Sequence, residues 1–172
     1  MLRQIITLAL LASFIVAGQS QSKEESIRLQ DSIYQSNIKK TRINGVYIPK
    51  DLNDAFLELN TLSDQEGKTK FRLGEEDVVA KKLHFGLGRW MAVNWNFEEG
   101  SRMSHYLTSL GLRYTDDMID FMLRMYHRYL NNKPLDAEKT AKSYQEARDK
   151  IYRQELKEKY GIDSVLVTKP RP

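Results

Sequence analysis

The stretch from Thr115 to Asn132, TDDMIDFMLRMYHRYLNN, constrains the fold of this 172-residue chain more than any other segment. At helical spacing, Met118, Met122, Met125 and Tyr129 form one apolar stripe, and Ile119, Leu123, Tyr126 and Leu130 form a second beside it. A helix with so wide an apolar face must be covered from several sides, so it belongs at the centre of a bundle. Thr115 is placed to cap it, and Asp116 and Asp117 fall in its first turn, where acids oppose the positive end of the helix dipole. Asn131-Asn132 ends it before Pro134.

Shorter helical patterns surround this one. Asn44-Gly45 marks a turn and Val46-Tyr47-Ile48 a short extended piece, because the residue before Pro49 is pushed away from helical geometry. Asp51 then caps a helix from Leu52 to about Leu62, with Leu52, Phe56 and Leu59 on one face. Residues 63–74 read as a polar loop with a short apolar element at Phe71 and Leu73. A long helix follows with Glu75, Glu76 and Asp77 in its first turn and a stripe of Val79, Leu83, Leu87 and Trp90 or Met91. Gly86 and Gly88 interrupt that stripe, which predicts a kink or a second backbone packed very close. Residues 94–100, NWNFEEG, read as a bend. Ser101 caps a short helix with Met103, Tyr106, Leu107 and Leu110 on its apolar face, stopped by Gly111.

The last helix runs from about Asp136 to Tyr160, with Glu–Lys pairs at 138/142, 146/150 and 155/159 in the favourable order. Its apolar seam of Ala137, Ala141, Tyr144, Ile151 and Leu156 is thin, so its first half is expected to dock and its second half to project. Together these patterns predict a mainly α protein: a compact bundle of four to five helices with a short extended N-terminal segment and a long charged C-terminal helix.

The chain opens with MLRQIITLALLASFIVAGQS, a basic residue and then an apolar run from Ile5 to Ala17. That is the layout of a secretory signal peptide over residues 1–18, and the run is too short to span a bilayer. The expected organisation is a signal peptide at 1–18, a flexible polar arm at 19–43 and a helical core domain at 44–134. A charged helix at 135–161 and a tail at 162–172 complete it. The protein is expected to be exported, periplasmic or secreted, and soluble after cleavage, with no membrane span. Without cysteine it forms no disulfide and carries no lipoprotein attachment site. Its 27 basic and 23 acidic residues are interspersed rather than clustered, so nucleic acid is not an expected partner.

Several motifs occur in order: Pro49-Lys50-Asp51-Leu52-Asn53-Asp54, His84-Phe85-Gly86-Leu87-Gly88 with Trp90, Asn94-Trp95, Ser101-Arg102, Asp116-Asp117-Met118 and Tyr126 to Asn131. Over roughly residues 47–132 the chain resembles a bacterial exported-protein family known only as a domain of unknown function. Where that family follows its tryptophan with Ile-Arg-Asn, this chain has Met91-Ala92-Val93. Where the family carries a glycine and a second tryptophan, this chain has Asn96 and Glu98. The resemblance implies a shared fold and no particular activity.

The candidate binding residues are Arg89, Trp90, Asn94, Trp95 and Arg102, because tryptophan and arginine dominate binding hot spots and here converge near one bend. The competing reading makes the tryptophans core and pairs Arg102 with Glu98, Glu99 or Asp116. An alternative acid/base set is Glu98, Asp116 and His127. The three histidines show no metal-binding spacing, and Asp117 and His127 lie about 15 Å apart along one helix, so no metal or other cofactor is expected. The serines flanking Arg102 read as helix caps rather than nucleophiles.

The favoured function is therefore an exported binding or interaction module without catalytic activity. Its partner would be a protein or an envelope component, met through the Trp/Arg bend or the projecting end of the last helix. The alternatives are an envelope hydrolase acting on a cell-wall or glycan polymer, and a protective, immunity-like protein that neutralises an envelope toxin.

Overall fold

The structure, a computed structural model, describes residues 23–161. The signal peptide expected at 1–18 and the tail at 162–172 lie outside the described residues. The fold is mainly helical with one small antiparallel hairpin.

Helix α1 covers residues 23–37, part of the segment read from sequence as a polar arm. Ile27 and Ile33 on it are exposed, and the helix is anchored near its end. There Asn37 is buried and the Tyr34 hydroxyl meets His105 Nδ1 at 3.0 Å. Strands β1 (Arg42–Ile43) and β2 (Val46–Tyr47) pair across the Asn44-Gly45 turn, Arg42 opposite Tyr47 and Ile43 opposite Val46. The arm thus supplies the strand that partners the expected extended piece.

Helix α2 (Leu52–Leu62) starts as its sequence dictates: the Asp51 side chain accepts from Asp54 N at 2.9 Å, and Leu52, Ala55, Phe56 and Leu59 are buried. Residues 65–73 correct the sequence reading. They form helix α3 (Gln65–Leu73), not a loop, capped by Asp64 accepting from Gly67 N. Only Phe71 of this helix is buried, and the segment is strongly polar, with only Phe71 and Leu73 as large apolar residues.

Helix α4 (Glu76–Leu83), a π-helical turn (His84–Gly88) and α5 (Arg89–Asn94) follow one another without a break. Gly88 packs closely against the Ile119 side chain, and the π turn changes the helical pitch locally. Ser101 caps α6 (Arg102–Ser109) in a reciprocal capping box with Ser104, and Gly111 ends the segment at φ 94°.

Helix α7 (Thr115–Leu130) is the central element, with eight buried residues including Phe121, Met122, Leu123 and Met125. Its cap position is Tyr114, which makes no side-chain capping bond, so Thr115 is the first helical residue rather than the cap. Helices α2, α3, α4, α5 and the π turn all pack on α7.

Helix α8 (Ala137–Tyr160) packs on α7 through its first half, where Ala141 is buried and Tyr144 and Arg148 reach Asp120 and Asp117. Beyond Asp149 its side chains are exposed except for half-buried Leu156. No helix of the described residues is long and apolar enough to cross a membrane.

Candidate functional site

The Trp/Arg bend turns largely inward. Trp95 is 0% exposed, packed edge-on against Trp90 at 5.9 Å and beside Phe97. Asn94 spends its amide on its own helix, donating to Trp90 O at 2.9 Å. Arg102 does not pair with Glu98, Glu99 or Asp116. Its Nε donates to Ile48 O at 2.5 Å, its guanidinium lies over the Tyr47 ring at 5.0 Å, and Nη2 stands 3.6 Å from Asp54. Asp54 also accepts from the Tyr47 hydroxyl (2.8 Å) and from Lys50 N (2.9 Å). The hydrogen bond to Asp54 is the main reason the Tyr47 phenol is raised above its ordinary value.

Tyr47, Asp54 and Arg102 thus tie the hairpin, α2 and α6 together. Tyr47 and Asp54 were not singled out from sequence. Asp54 lies within the quoted Pro49–Asp54 motif, but its partner is 48 positions away and no spacing rule links them. Of the five expected binding residues, Arg89 is exposed and Trp90 is half-buried. Trp90 lines an open groove of about 590 Å³ with Tyr47, Asp54 and Glu58.

The alternative acid/base residues fall in three different surroundings. Glu98 is exposed and lines a groove with Ile27, Asp31 and Tyr34 of α1. Asp116 faces His84, whose Nε2 is 3.5 Å away. His127 is 2% exposed; its Nε2–H donates to Gly74 O at 3.0 Å, and its ring meets Phe71 edge-on. His127 Nδ1 lies 3.7 Å from Glu76 and has no hydrogen-bond partner.

Glu76 is the hub of an ion-pair network. It accepts from Arg128 Nε (3.1 Å to each oxygen) and Nη2 (2.9 Å), and Arg124 Nη1 stands 3.7 Å away. Arg124 itself bonds Asp77 and Asp120, and Tyr144 donates to Asp120. Burial alone would raise the Glu76 carboxyl, but Arg128, Arg124 and His127 outweigh it and hold the group below the ordinary glutamate value. Burial and the bond to Asp120 push the Tyr144 phenol well up. Each of these groups is committed to the helix packing. Among the described residues no group of three or more His, Asp or Glu side chains is placed to hold a metal ion.

A mainly apolar concavity lies elsewhere, between the end of α2, α3, α4 and the π turn. Leu62, Phe71, Val79, Leu83, Leu87 and Tyr126 line a cavity of about 440 Å³, within the usual range for small-molecule sites. Tyr126 donates its hydroxyl to Asn60 Oδ1 at 3.0 Å, so the floor presents its ring rather than a free polar group. The charged lining is Lys68, Lys70, Lys82 and Asp64. The sequence does not announce this site because α3, which builds one wall, is strongly polar, with only Phe71 and Leu73 as large apolar residues.

Residues 48–130 match a family model described as Domain of unknown function (DUF6794). Nothing among the curated proteins or the solved structures matches the chain. The matched span takes in Asp54, Gly88, Arg102, the Glu76 network except for α8, and every residue lining the apolar cavity. It leaves out α1, the hairpin and α8. The part of the chain that is similar to the DUF6794 model is therefore the part that builds the core and the cavity.

Proposed function

We propose that the protein is an exported, non-enzymatic binding module that holds a small apolar ligand of the cell envelope in the cavity between α2, α3 and the π turn. The cavity is the observation that carries this reading. It is concave and of ligand size, and six of its twelve lining residues are aliphatic or aromatic. The hydrolase alternative would need Glu98, Asp116 and His127 to converge on one substrate atom, and they serve three separate neighbourhoods. The apolar run at residues 5–17, preceded by Arg3, supports export.

The test is to express the full chain in a bacterial host, purify it from the envelope fraction and extract it with organic solvent for mass spectrometry. The expected result is a mature N-terminus near residue 19 and an apolar small molecule that co-extracts. That molecule should be lost on Leu83→Trp, which fills the cavity. Retention of the molecule by folded Leu83→Trp would place the ligand elsewhere, and a chain found only in the cytoplasm would end the export reading.

A further inference from the structure

We propose that the ligand of this cavity is an anionic amphiphile, a straight-chain fatty carboxylate whose head is met by Lys82 and Lys68. The proposal rests on the reading of the cavity as a ligand site and adds the ligand's chemistry. Three ammonium groups and one carboxylate line this concavity beside its apolar side chains, so the charged lining carries a net +2 (three minus one).

The four charges are not equally available. Asp64 is engaged as the cap of α3, accepting from Gly67 N at 2.5 Å. Lys70 is paired with Glu66 one turn earlier at 2.5 Å. Lys68 donates to Asn60 O at 3.2 Å, and an ammonium has three donors, so two remain. Lys82 is exposed and has no partner among the described residues. Two cations with unspent donors therefore flank a greasy concavity whose one carboxylate, Asp64, is bonded to the N-terminus of α3.

A neutral apolar ligand would fill the cavity and leave both ammonium groups as they are. A dianionic phosphate ester would bring twice the negative charge of a carboxylate head toward Asp64, and so twice the repulsion. A single carboxylate head on an alkyl tail matches both features. The tail covers Phe71, Leu83, Leu87 and Tyr126, and the head takes charge-assisted hydrogen bonds from the lysines. Lysine suits a head held as a point charge rather than in a planar fork.

The experiment is calorimetric titration of the purified, delipidated full chain with octanoate, decanoate and dodecanoate, and with dodecanol as the neutral control. Affinity should rise about fourfold per added methylene until the cavity is full. Dodecanoate should bind more tightly than dodecanol. Lys82→Glu should weaken dodecanoate by about fivefold at low salt and leave dodecanol unchanged. Lys139→Glu, on α8 in a separate groove, should change neither. Circular dichroism checks that each variant is folded, and Lys82→Gln supplies a milder second variant with a smaller effect in the same direction. Equal binding of dodecanol and dodecanoate, indifferent to Lys82→Glu, would overturn the anionic head and leave the binding-module reading standing. Binding of neither probe by the folded chain would overturn both.

Discussion

Ile119 occupies the space that any side chain at position 88 would need: a Cβ on Gly88 would come within 2.4 Å of Ile119 Cγ2. Leu123 Cδ1 would be 3.3 Å from the same atom. This contact seats the π turn on the central helix, and it explains one of the two glycines that interrupt the apolar stripe. Gly86, two residues earlier, has nothing within 4 Å of the equivalent position.

The two glycines should therefore respond oppositely to the same change. Gly88→Ala forces Ile119 or the π turn to move and should destabilise by about 1–3 kcal/mol, as overpacking does. Gly86→Ala meets no neighbour and removes backbone freedom from the unfolded chain, so it should stabilise by about 0.5–1 kcal/mol. Urea denaturation of the two variants measures both. A Gly88→Ala variant as stable as wild type would show that the π turn is not held in this close contact.

Arg102 and Arg89 separate a structural arginine from a surface one. Arg102 bridges the Ile48 carbonyl, the Tyr47 ring and Asp54, and lysine cannot make the Nε bond and cover the ring at once. Arg102→Lys should cost about 1–3 kcal/mol through the lost charge-assisted bond. Arg89 is exposed, and Arg89→Ala should stay within about 0.5 kcal/mol of wild type. Thermal unfolding of the pair is the measurement. Equal melting temperatures would remove the anchor role given to Arg102.

Local chemistry was legible and long-range pairing was not. Asp51, Ser101 and Gly111 announce helix ends because a cap needs only its own few residues, and each acts as its type predicts. The double stripe of α7 likewise reads directly as a buried helix. Helix α3 escapes because a segment so polar, which buries only Phe71, reads as a solvated loop. The tryptophans show a different limit. Composition marks Trp90 and Trp95 alike as hot-spot candidates, yet the fold makes one wholly core and leaves the other half-exposed. The pairings that organise the interior, Glu76 with Arg128 and Arg102 with Ile48, span 52 and 54 residues, and no spacing rule reaches that far.

Acid should weaken the α4–α7 junction. The Glu76 carboxyl is pushed up by burial and pulled down further by Arg128, Arg124 and His127, so its folded value lies below the ordinary 4.5. A group lowered on folding contributes stability that is complete above about pH 5 and lost as pH falls through the folded value. Glu76→Gln removes the titrating charge and weakens the bonds from Arg128, which should cost about 2 kcal/mol at pH 7. It should also flatten the fall in stability between neutral and acid pH. Denaturant midpoints of wild type and Glu76→Gln across that range check the sign. Parallel curves for the two proteins would mean that Glu76 is not a charge whose loss drives the acid transition.

The tryptophan pair offers an optical test of which side of the bend faces solvent. Trp95 is fully buried among Trp90, Phe97 and the core, and its indole N–H has no hydrogen-bond partner. With Trp90→Phe, the remaining Trp95 should emit at short wavelength and resist quenching by acrylamide. With Trp95→Phe, the remaining Trp90 should emit further to the red and be quenched readily, because it borders the open groove beside Tyr47. Trp95→Phe should also cost about 1–3 kcal/mol as a core truncation, softened by removal of the unpaired N–H. Easy quenching of Trp95 in the native protein would return this residue to the exposed surface and revive the bend as a docking site.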